Sequence, residues 1–227
     1  MVMKKDFFGN DKHVFWEALV VAVFIFGIGI IFGIFLENSR AERISEIYST
    51  SEINLLDLQI QTELLGVENI NCEQAVKKNI EFADKVYEDA KILEEYERAS
   101  RLKENLVQQH ERYDLLRTLL WLNSLKIKER CDGGNFHTVV YLYDYLPEDI
   151  EEKNKQAVFS RFLEELKEEK GDTIILIPIA KNLDISSLDL LIEGYGIEQT
   201  SIILDETLVV EELSDLNKIE EKIDSSL

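Results

Sequence analysis

Basic residues are scarce in this sequence. It contains 25 lysines and arginines against 45 aspartates and glutamates, so its formal net charge at pH 7 is −20. Proteins that bind nucleic acid cluster lysine and arginine to neutralise phosphate charge, and this sequence has no basic stripe. We therefore exclude nucleic acid as a partner, and we expect the acidic part of the chain to avoid anionic lipid headgroups.

Histidines are few, and the common catalytic motifs are absent. Three histidines without paired ligand spacing do not indicate a metal site. His110 with Glu111 and Asp114, and Cys72 with Glu73, fit solvated helix faces better than sets of ligands. The sequence also lacks the phosphate-binding loop, the dinucleotide fingerprint, the zinc-protease helix and the nucleophile elbow. We therefore predict no metal, no cofactor and no catalytic residues.

One long apolar run lies near the N-terminus. It covers residues 14–36, and from Ala18 onward it has 19 residues without a charged or strongly polar side chain. At about 1.5 Å per residue, such a run spans the roughly 30 Å hydrocarbon core of a bilayer. A cleaved signal peptide has a shorter apolar core and a small-residue cleavage site, which residues 36–39 do not offer. We therefore predict an uncleaved transmembrane helix that contacts the lipid bilayer through 14–36, after a tail over 1–13.

Lysine and arginine near the span predict its orientation. Three lysines precede the span, whereas only Arg40 and Arg43 follow it before Lys77. Because the flank richer in these residues stays in the cytoplasm, we predict a single-pass protein of the cell membrane with a cytoplasmic N-terminus and an extracytoplasmic C-terminal part. The first 36 residues hold three lysines and three acids, so the whole net charge belongs to the part after the span.

Gly29 and Gly33 form one G-x-x-x-G spacing within the span. This spacing lets two transmembrane helices approach closely, so the pair is a candidate helix contact in a homo-oligomer. Glycine is also common in membrane helices without any such role, and this simpler interpretation stays open.

The middle of the chain has the composition of long helices. Between residues 38 and 131 there is no proline and a single glycine, Gly66, which predicts the end of a first helix over about 40–65. The apolar periodicity of the next stretch lapses at residues 97–101. A bend there gives a helical hairpin or three-helix stalk over 37–131, and one helix across 73–130 is the alternative.

The sequence has only two cysteines, too few for a disulfide-dense scaffold. If the chain bends at 97–101, Cys72 and Cys131 lie at the same end of the bundle, and outside the cell a disulfide can form between them; two unrelated thiols are the alternative. With one continuous helix the two sulfurs would lie too far apart to bond.

The last part of the chain changes to short apolar runs separated by helices. Residues 138–144 and 173–179 are predicted strands, and the amphipathic segment 147–170 between them is a predicted crossover helix, which makes a parallel βαβ unit. The later elements are a helix over 186–195, strands over 201–204 and 208–211 on either side of Asp205 and Glu206, and a helix over 214–223. The predicted order is β-α-β-α-β-β-α.

With this order, residues 134–227 resemble the thioredoxin superfamily. The most specific stretch runs from Tyr195, Gly196 and Ile197 to the strand at 201–204, and Ser201 falls where the family keeps its cis-proline. The Cys-x-x-Cys motif of the family belongs at the start of the helix after the first strand, but residues 146–156 contain no cysteine. Both landmarks of the family are therefore missing.

The missing thiols imply a thioredoxin-like domain without redox chemistry, because thiol–disulfide exchange requires a thiolate nucleophile. The fold class is then α+β, with a transmembrane helix, a helical stalk and a thioredoxin-like α/β domain. We expect the domain to serve as a structural or protein-interaction module for an unidentified protein partner. Two alternatives stay open: a thiol–disulfide oxidoreductase or redox sensor that uses Cys72 and Cys131, and a coiled-coil scaffold that oligomerises in the membrane.

Overall fold

The computed structural model describes residues 11–66, 70–99, 104–131 and 133–225. The chain divides into two compact units, one up to Glu46 and one from Ile47 onward. Helices and strands are, in chain order, α1 (Asp11–Leu64), α2 (Cys72–Ala99), α3 (Glu104–Arg130), β1 (His137–Tyr143), α4 (Ile150–Lys170), β2 (Ile174–Ala180), α5 (Ser186–Tyr195), β3 (Ser201–Leu204), β4 (Leu208–Val210) and α6 (Asn217–Asp224). The protein is thus a mixed helical and sheet protein with an apolar N-terminal helix.

The first unit is the beginning of α1. Its segment Phe15–Ser39 is long and apolar enough to cross a membrane, and none of the most apolar part is buried. An exposed apolar surface of this extent is uncommon on soluble monomers. Among the described residues, a Cβ atom added at Gly29 or Gly33 would meet nothing within 4 Å. The predicted tail falls mostly on residues 1–10, which lie outside the described residues.

The second unit begins with the last turns of α1. This helix ends at Leu64, and the Gly66 N–H donates to the carbonyl of Glu63 at 3.0 Å, which agrees with the predicted end at Gly66. Opposite Leu58 and Thr62, which are buried, the helix is exposed.

Helices α2 and α3 run antiparallel. The Asn79 amide donates to the hydroxyl of Ser124 at 2.9 Å, and the Tyr113 hydroxyl donates to the carbonyl of Val86 at 2.7 Å. Between these two bonds the residue number in α2 rises while the residue number in α3 falls, as it does in a helical hairpin. The alternative of one helix across 73–130 is therefore wrong. The predicted bend at 97–101 falls partly on residues 100–103, outside the described part of the chain.

The strands form one sheet in the order β2-β1-β3-β4. Strands β1 and β2 are parallel, whereas β3 is antiparallel to β1 and β4 is antiparallel to β3. The predicted order of elements is present, with strand ends displaced by about one residue. Helix α4 begins at Ile150 rather than at 147, because Asp149 caps it and its carboxylate accepts from the Glu152 N–H at 3.2 Å.

Both faces of the sheet are covered. Helices α4 and α6 bury Val139, Phe159 and Ile219 on one face. On the other face α3 packs against β1, β2 and α5, and the buried Trp121 ring stacks on Tyr195 with 5.5 Å between ring centroids. The predicted stalk over 37–131 and the predicted domain over 134–227 both lie, from Ile47 onward, in one compact unit, because α3 packs against β1 and β2.

Candidate functional site

The candidate site is the carboxyl edge of the sheet, which we define as the edge where β1 and β2 end and the antiparallel β3 begins. In α/β sheets, ligands bind outside the carboxyl ends of parallel strands. Here the edge is made by Tyr143 at the end of β1, Ala180 at the end of β2, and Thr200 and Ser201 at the start of β3. The first turns of α4 meet the start of β3 at this edge, through a contact of Glu152 with Thr200.

The start of α4 carries a polar cluster in place of thiols. The Thr200 hydroxyl donates to Glu152 Oε1, and the buried Gln156 amide donates to the same oxygen at 3.0 Å and to Thr200 Oγ1 at 3.3 Å. The Tyr141 hydroxyl in turn donates to the Gln156 carbonyl at 3.2 Å. These bonds tie α4 to the start of β3, so the place where the resemblance expects a reactive dithiol holds a carboxylate, an amide and a hydroxyl.

Ser201 lies next to this cluster and is completely buried. It pairs with Leu142 across the β1–β3 ladder, and within the described residues its Oγ has no hydrogen-bond partner. No peptide bond in the described ranges is cis. Ser201, to which the resemblance assigned the cis-proline position, therefore has an ordinary trans backbone.

A second cluster joins α3 to the carboxyl edge. Asp114 is fully buried, with Oδ1 accepting from the Arg117 guanidinium at 2.6 Å and Oδ2 accepting from the Ala180 N–H at 3.0 Å. His110 Nε2 lies 3.3 Å from Asp114 Oδ2 and 2.9 Å from the Tyr143 hydroxyl. The cluster therefore fixes α3 to the ends of both parallel strands.

The interpretation of His110 and Asp114 as part of a solvated helix face is wrong. His110, Asp114 and Arg117 follow one another at steps of four and three residues, which places them on one side of α3. That side also carries the buried Leu120 and faces the sheet. The periodicity was visible in the sequence. However, a buried helix face that carries three ionisable residues has the same sequence pattern as a solvent-exposed face.

The ion pair of Asp114 and Arg117 is costly to bury and is stabilised by its geometry. Burial is the largest effect and lowers the pKa of Arg117, but the Asp114 carboxylate together with Tyr143 and Tyr113 outweighs burial, so the pKa lies above its ordinary value. The guanidinium also lies over the Tyr113 ring, 4.7 Å from its centroid. Such pairs contribute little net stability but make the loss of one partner expensive.

A third cluster surrounds the β3–β4 turn, at the opposite ends of the strands from the carboxyl edge. Asp205 and Glu206 both adopt positive φ, 46° and 56°, as the tight hairpin requires. Asp205 Oδ1 accepts from Lys128 at 2.5 Å, and Oδ2 lies 2.6 Å from His137 Nδ1. The buried Trp121 indole N–H donates to Glu206 at 3.1 Å. The turn is thereby bonded to α3 and to the start of β1.

The two turn carboxylates have pKa values displaced in opposite directions. For Asp205, burial raises the pKa, but bonds from His137 and Lys128 more than offset burial, and the pKa lies below its ordinary value. For Glu206, burial is again the largest effect and holds the pKa above its ordinary value. His137 lies at the start of β1 and is bonded to Asp205. The sequence did not predict that the two turn acids bond the turn to α3 and β1. The only signal for it was their position between two short strands.

Cys72 and Cys131 are joined by a disulfide between the start of α2 and the end of α3, with 5.5 Å between their Cα atoms. They are the chain's two cysteines, so no thiol remains. Asp114 and Cys131 are 17 residues apart along α3 and its end, which is about 25 Å at about 1.5 Å per residue. The disulfide is therefore remote from the carboxyl edge.

Among the described residues, no three or more histidines, cysteines or acids are grouped so that they would hold a metal ion. An open depression of about 400 Å³ lies beside the C-terminal end of α5, lined by Lys181, Asp189 and Glu193 among others. The Lys181 ammonium is engaged by Asp144 at 2.8 Å. The depression is shallow and its one cation is paired, so it does not resemble a substrate pocket.

No protein-family model matches this chain, and neither the curated proteins nor the solved structures include a significant match.

Proposed function

We propose that this chain is a single-pass membrane protein whose second unit contains a redox-inactive, thioredoxin-like module that binds a partner protein or stabilises a membrane complex. The observation that carries the proposal is the polar cluster of Glu152, Gln156 and Thr200, which fills the start of α4 where a redox-active relative would need its dithiol. A carboxylate at this place supplies no thiolate for disulfide exchange.

The sheet topology supports the thioredoxin-like assignment. The predicted order β-α-β-α-β-β-α, on which the resemblance rests, is present, and β1 and β2 are parallel as the predicted βαβ unit requires. Gly196 ends α5 in the left-handed region, with φ 66°, which suits the Tyr-Gly-Ile stretch on which the resemblance rests. Fold alone does not decide activity, so the function is argued from the α4 cluster instead.

The membrane segment and the disulfide support the same location. Phe15–Ser39 has the length and apolarity of a span. Disulfides persist on the oxidising side of a membrane, and Cys72 and Cys131 both follow the span in the sequence. This favours the orientation with the N-terminus in the cytoplasm and the second unit outside, in agreement with the lysines that precede the span.

The oxidoreductase alternative is less favoured because its cysteines lie about 25 Å from the carboxyl edge, as the length of α3 dictates. A substrate bound at that edge would not reach the disulfide.

The binding role is tested by the native mass of the full-length chain, tagged and extracted from its own membranes in a mild non-ionic detergent. We expect the chain to migrate in an assembly larger than its 26.3 kDa monomer and to contain a second kind of polypeptide. Migration as a free monomer would contradict a binding role. An assembly that contains only copies of this chain would favour the oligomeric scaffold, for which Gly29 and Gly33 are the candidate contacts.

A further inference from the structure

Within the second unit, α1 is apolar on two opposite sides. One side, with Tyr48 and Leu58, is buried against the rest of the unit. The other side carries four large aliphatic side chains that are largely exposed, which we call the α1 stripe. Its members are Ile53, Leu56, Ile60 and Leu64, with exposed fractions of 67%, 59%, 59% and 49%.

The spacing of the α1 stripe is that of a helix-packing seam. Its members follow at steps of three, four and four residues, so at about 100° per residue they fall within an arc of about 80°. The stripe runs about 16 Å along the helix at about 1.5 Å per residue. Scattered exposed leucines are ordinary, but a contiguous apolar row on a helix marks a surface for another helix.

The charges beside the stripe indicate what kind of helix fits. Residues 47–64 contain three acids and no lysine or arginine. Glu52 is paired with Arg112 of α3 at 2.8 Å. Asp57, which accepts from the Gln61 amide at 2.6 Å, and Glu63 lie on the two sides of the stripe and face no lysine or arginine of this segment. Two copies of this chain, in either direction, would place acid against acid, which destabilises a helix pair. A helix with basic residues beside its apolar seam would meet opposite charge on both sides.

We propose that the α1 stripe docks an amphipathic helix of another protein, with an aliphatic seam flanked by lysine or arginine. This inference deepens the proposed binding role and rests on it. The seam supplies the apolar contact, and Asp57 and Glu63 select the partner by charge.

The test uses the full-length chain in non-ionic detergent and designed fluorescent peptides. One peptide has a leucine and isoleucine heptad seam flanked by lysine, a second has the same seam flanked by glutamate, and a third has the lysine composition in scrambled order. We expect the lysine-flanked peptide to bind at least 10-fold more tightly than either of the others, as measured by fluorescence anisotropy. Equal binding of the lysine-flanked and scrambled peptides would overturn the proposal, because net charge alone would then explain it.

A pair of variants separates the stripe from the rest of the surface. Leu56→Ser with Ile60→Ser keeps the net charge and should weaken binding of the lysine-flanked peptide at least 10-fold. The matched control, Val158→Ser with Leu190→Ser, alters side chains that are 46% and 72% exposed on α4 and α5 and should leave binding unchanged. Circular dichroism should show the same helix content in both variants, since all four side chains are exposed. Unchanged binding by the stripe variant would refute the assignment.

Two further measurements distinguish the failure of this inference from the failure of the proposed function. If the native assembly persists in the stripe variant and the lysine-flanked peptide does not bind the natural chain, the surface is misassigned while the binding role stands. If sedimentation shows a dimer of this chain that the stripe variant loses, the occupant is a second copy and the proposal is overturned.

Discussion

At the scale of single residues, several of the polar groups buried in the second unit are bonded in sets, whereas the Ser201 Oγ has no hydrogen-bond partner among the described residues. Asp114 alone joins Arg117, His110 and the backbone of Ala180. A carboxylate with this many partners is more expensive to remove than an exposed one, because each partner is left in a dry environment. The role of Asp114 is to hold α3 on the ends of β1 and β2.

Replacement of Asp114 by asparagine tests that role. The Asp114→Asn variant leaves the Arg117 charge buried without its counter-ion and should lower the free energy of unfolding by about 3 kcal/mol. The matched control is Asp215→Asn, which breaks an exposed pair with Lys218 at 2.8 Å and should cost less than about 0.5 kcal/mol. Chemical denaturation of the full-length chain in detergent, followed by tryptophan fluorescence, measures both. Equal stability of the two variants would show that the buried pair is not holding α3.

Asp205 predicts a pH dependence of stability. Its pKa is lower in the folded chain than in the unfolded chain, where it is near 3.9, so its contribution is complete above about pH 4. That contribution is lost as the pH falls through the folded pKa. The Asp205→Asn variant keeps a residue that tolerates positive φ, and it should be less stable than the natural chain at pH 7.

The difference between the two proteins should shrink as the pH falls below 4. Melting temperatures measured from pH 7 to pH 3 provide the check. A difference that stays constant over this range would mean that the bonds from His137 and Lys128 do not depend on the charge of Asp205.

At the scale of helices and strands, the sequence predicted the elements themselves better than the contacts between them. The apolar runs at 138–144 and 173–179 identified β1 and β2, since no competing helical period exists there. The periodicity of α3 identified a helix but not that its core face meets a sheet, because an apolar stripe does not say what covers it. The cluster around His110 was missed for the same reason. Polar residues on a buried helix face look like those of a solvent-exposed face unless the element that packs against the helix is known.

The disulfide is the covalent link between α2 and α3. It closes a loop of 59 residues, for which the chain-entropy model gives a stabilisation of about 4 kcal/mol. Reduction with dithiothreitol should therefore lower the free energy of unfolding by about that amount, as measured by denaturation with and without reductant. The Cys72→Ser, Cys131→Ser double variant should match the reduced protein and be insensitive to dithiothreitol. An unchanged transition after complete reduction would show that the remaining contacts of the hairpin are sufficient.

At the scale of the whole molecule, the two compact units differ in chemistry. The described residues up to Glu46 present a long, exposed apolar helix, whereas the unit from Ile47 holds the disulfide, the sheet and the polar clusters. Nearly all of the net charge of −20 follows the apolar segment in the sequence. This division suits the proposed membrane anchor followed by an acidic binding module.

Thiol labelling in intact cells tests the central claim most directly, because it reports the side of the membrane and the state of Cys72 and Cys131 together. A membrane-impermeant maleimide should not label the natural chain before reduction, and it should label both cysteines after treatment with an impermeant reductant. The Cys72→Ser, Cys131→Ser variant gives the background. Labelling without reduction would show free thiols, and labelling only after the cells are permeabilised would place the second unit in the cytoplasm; either result would contradict this account.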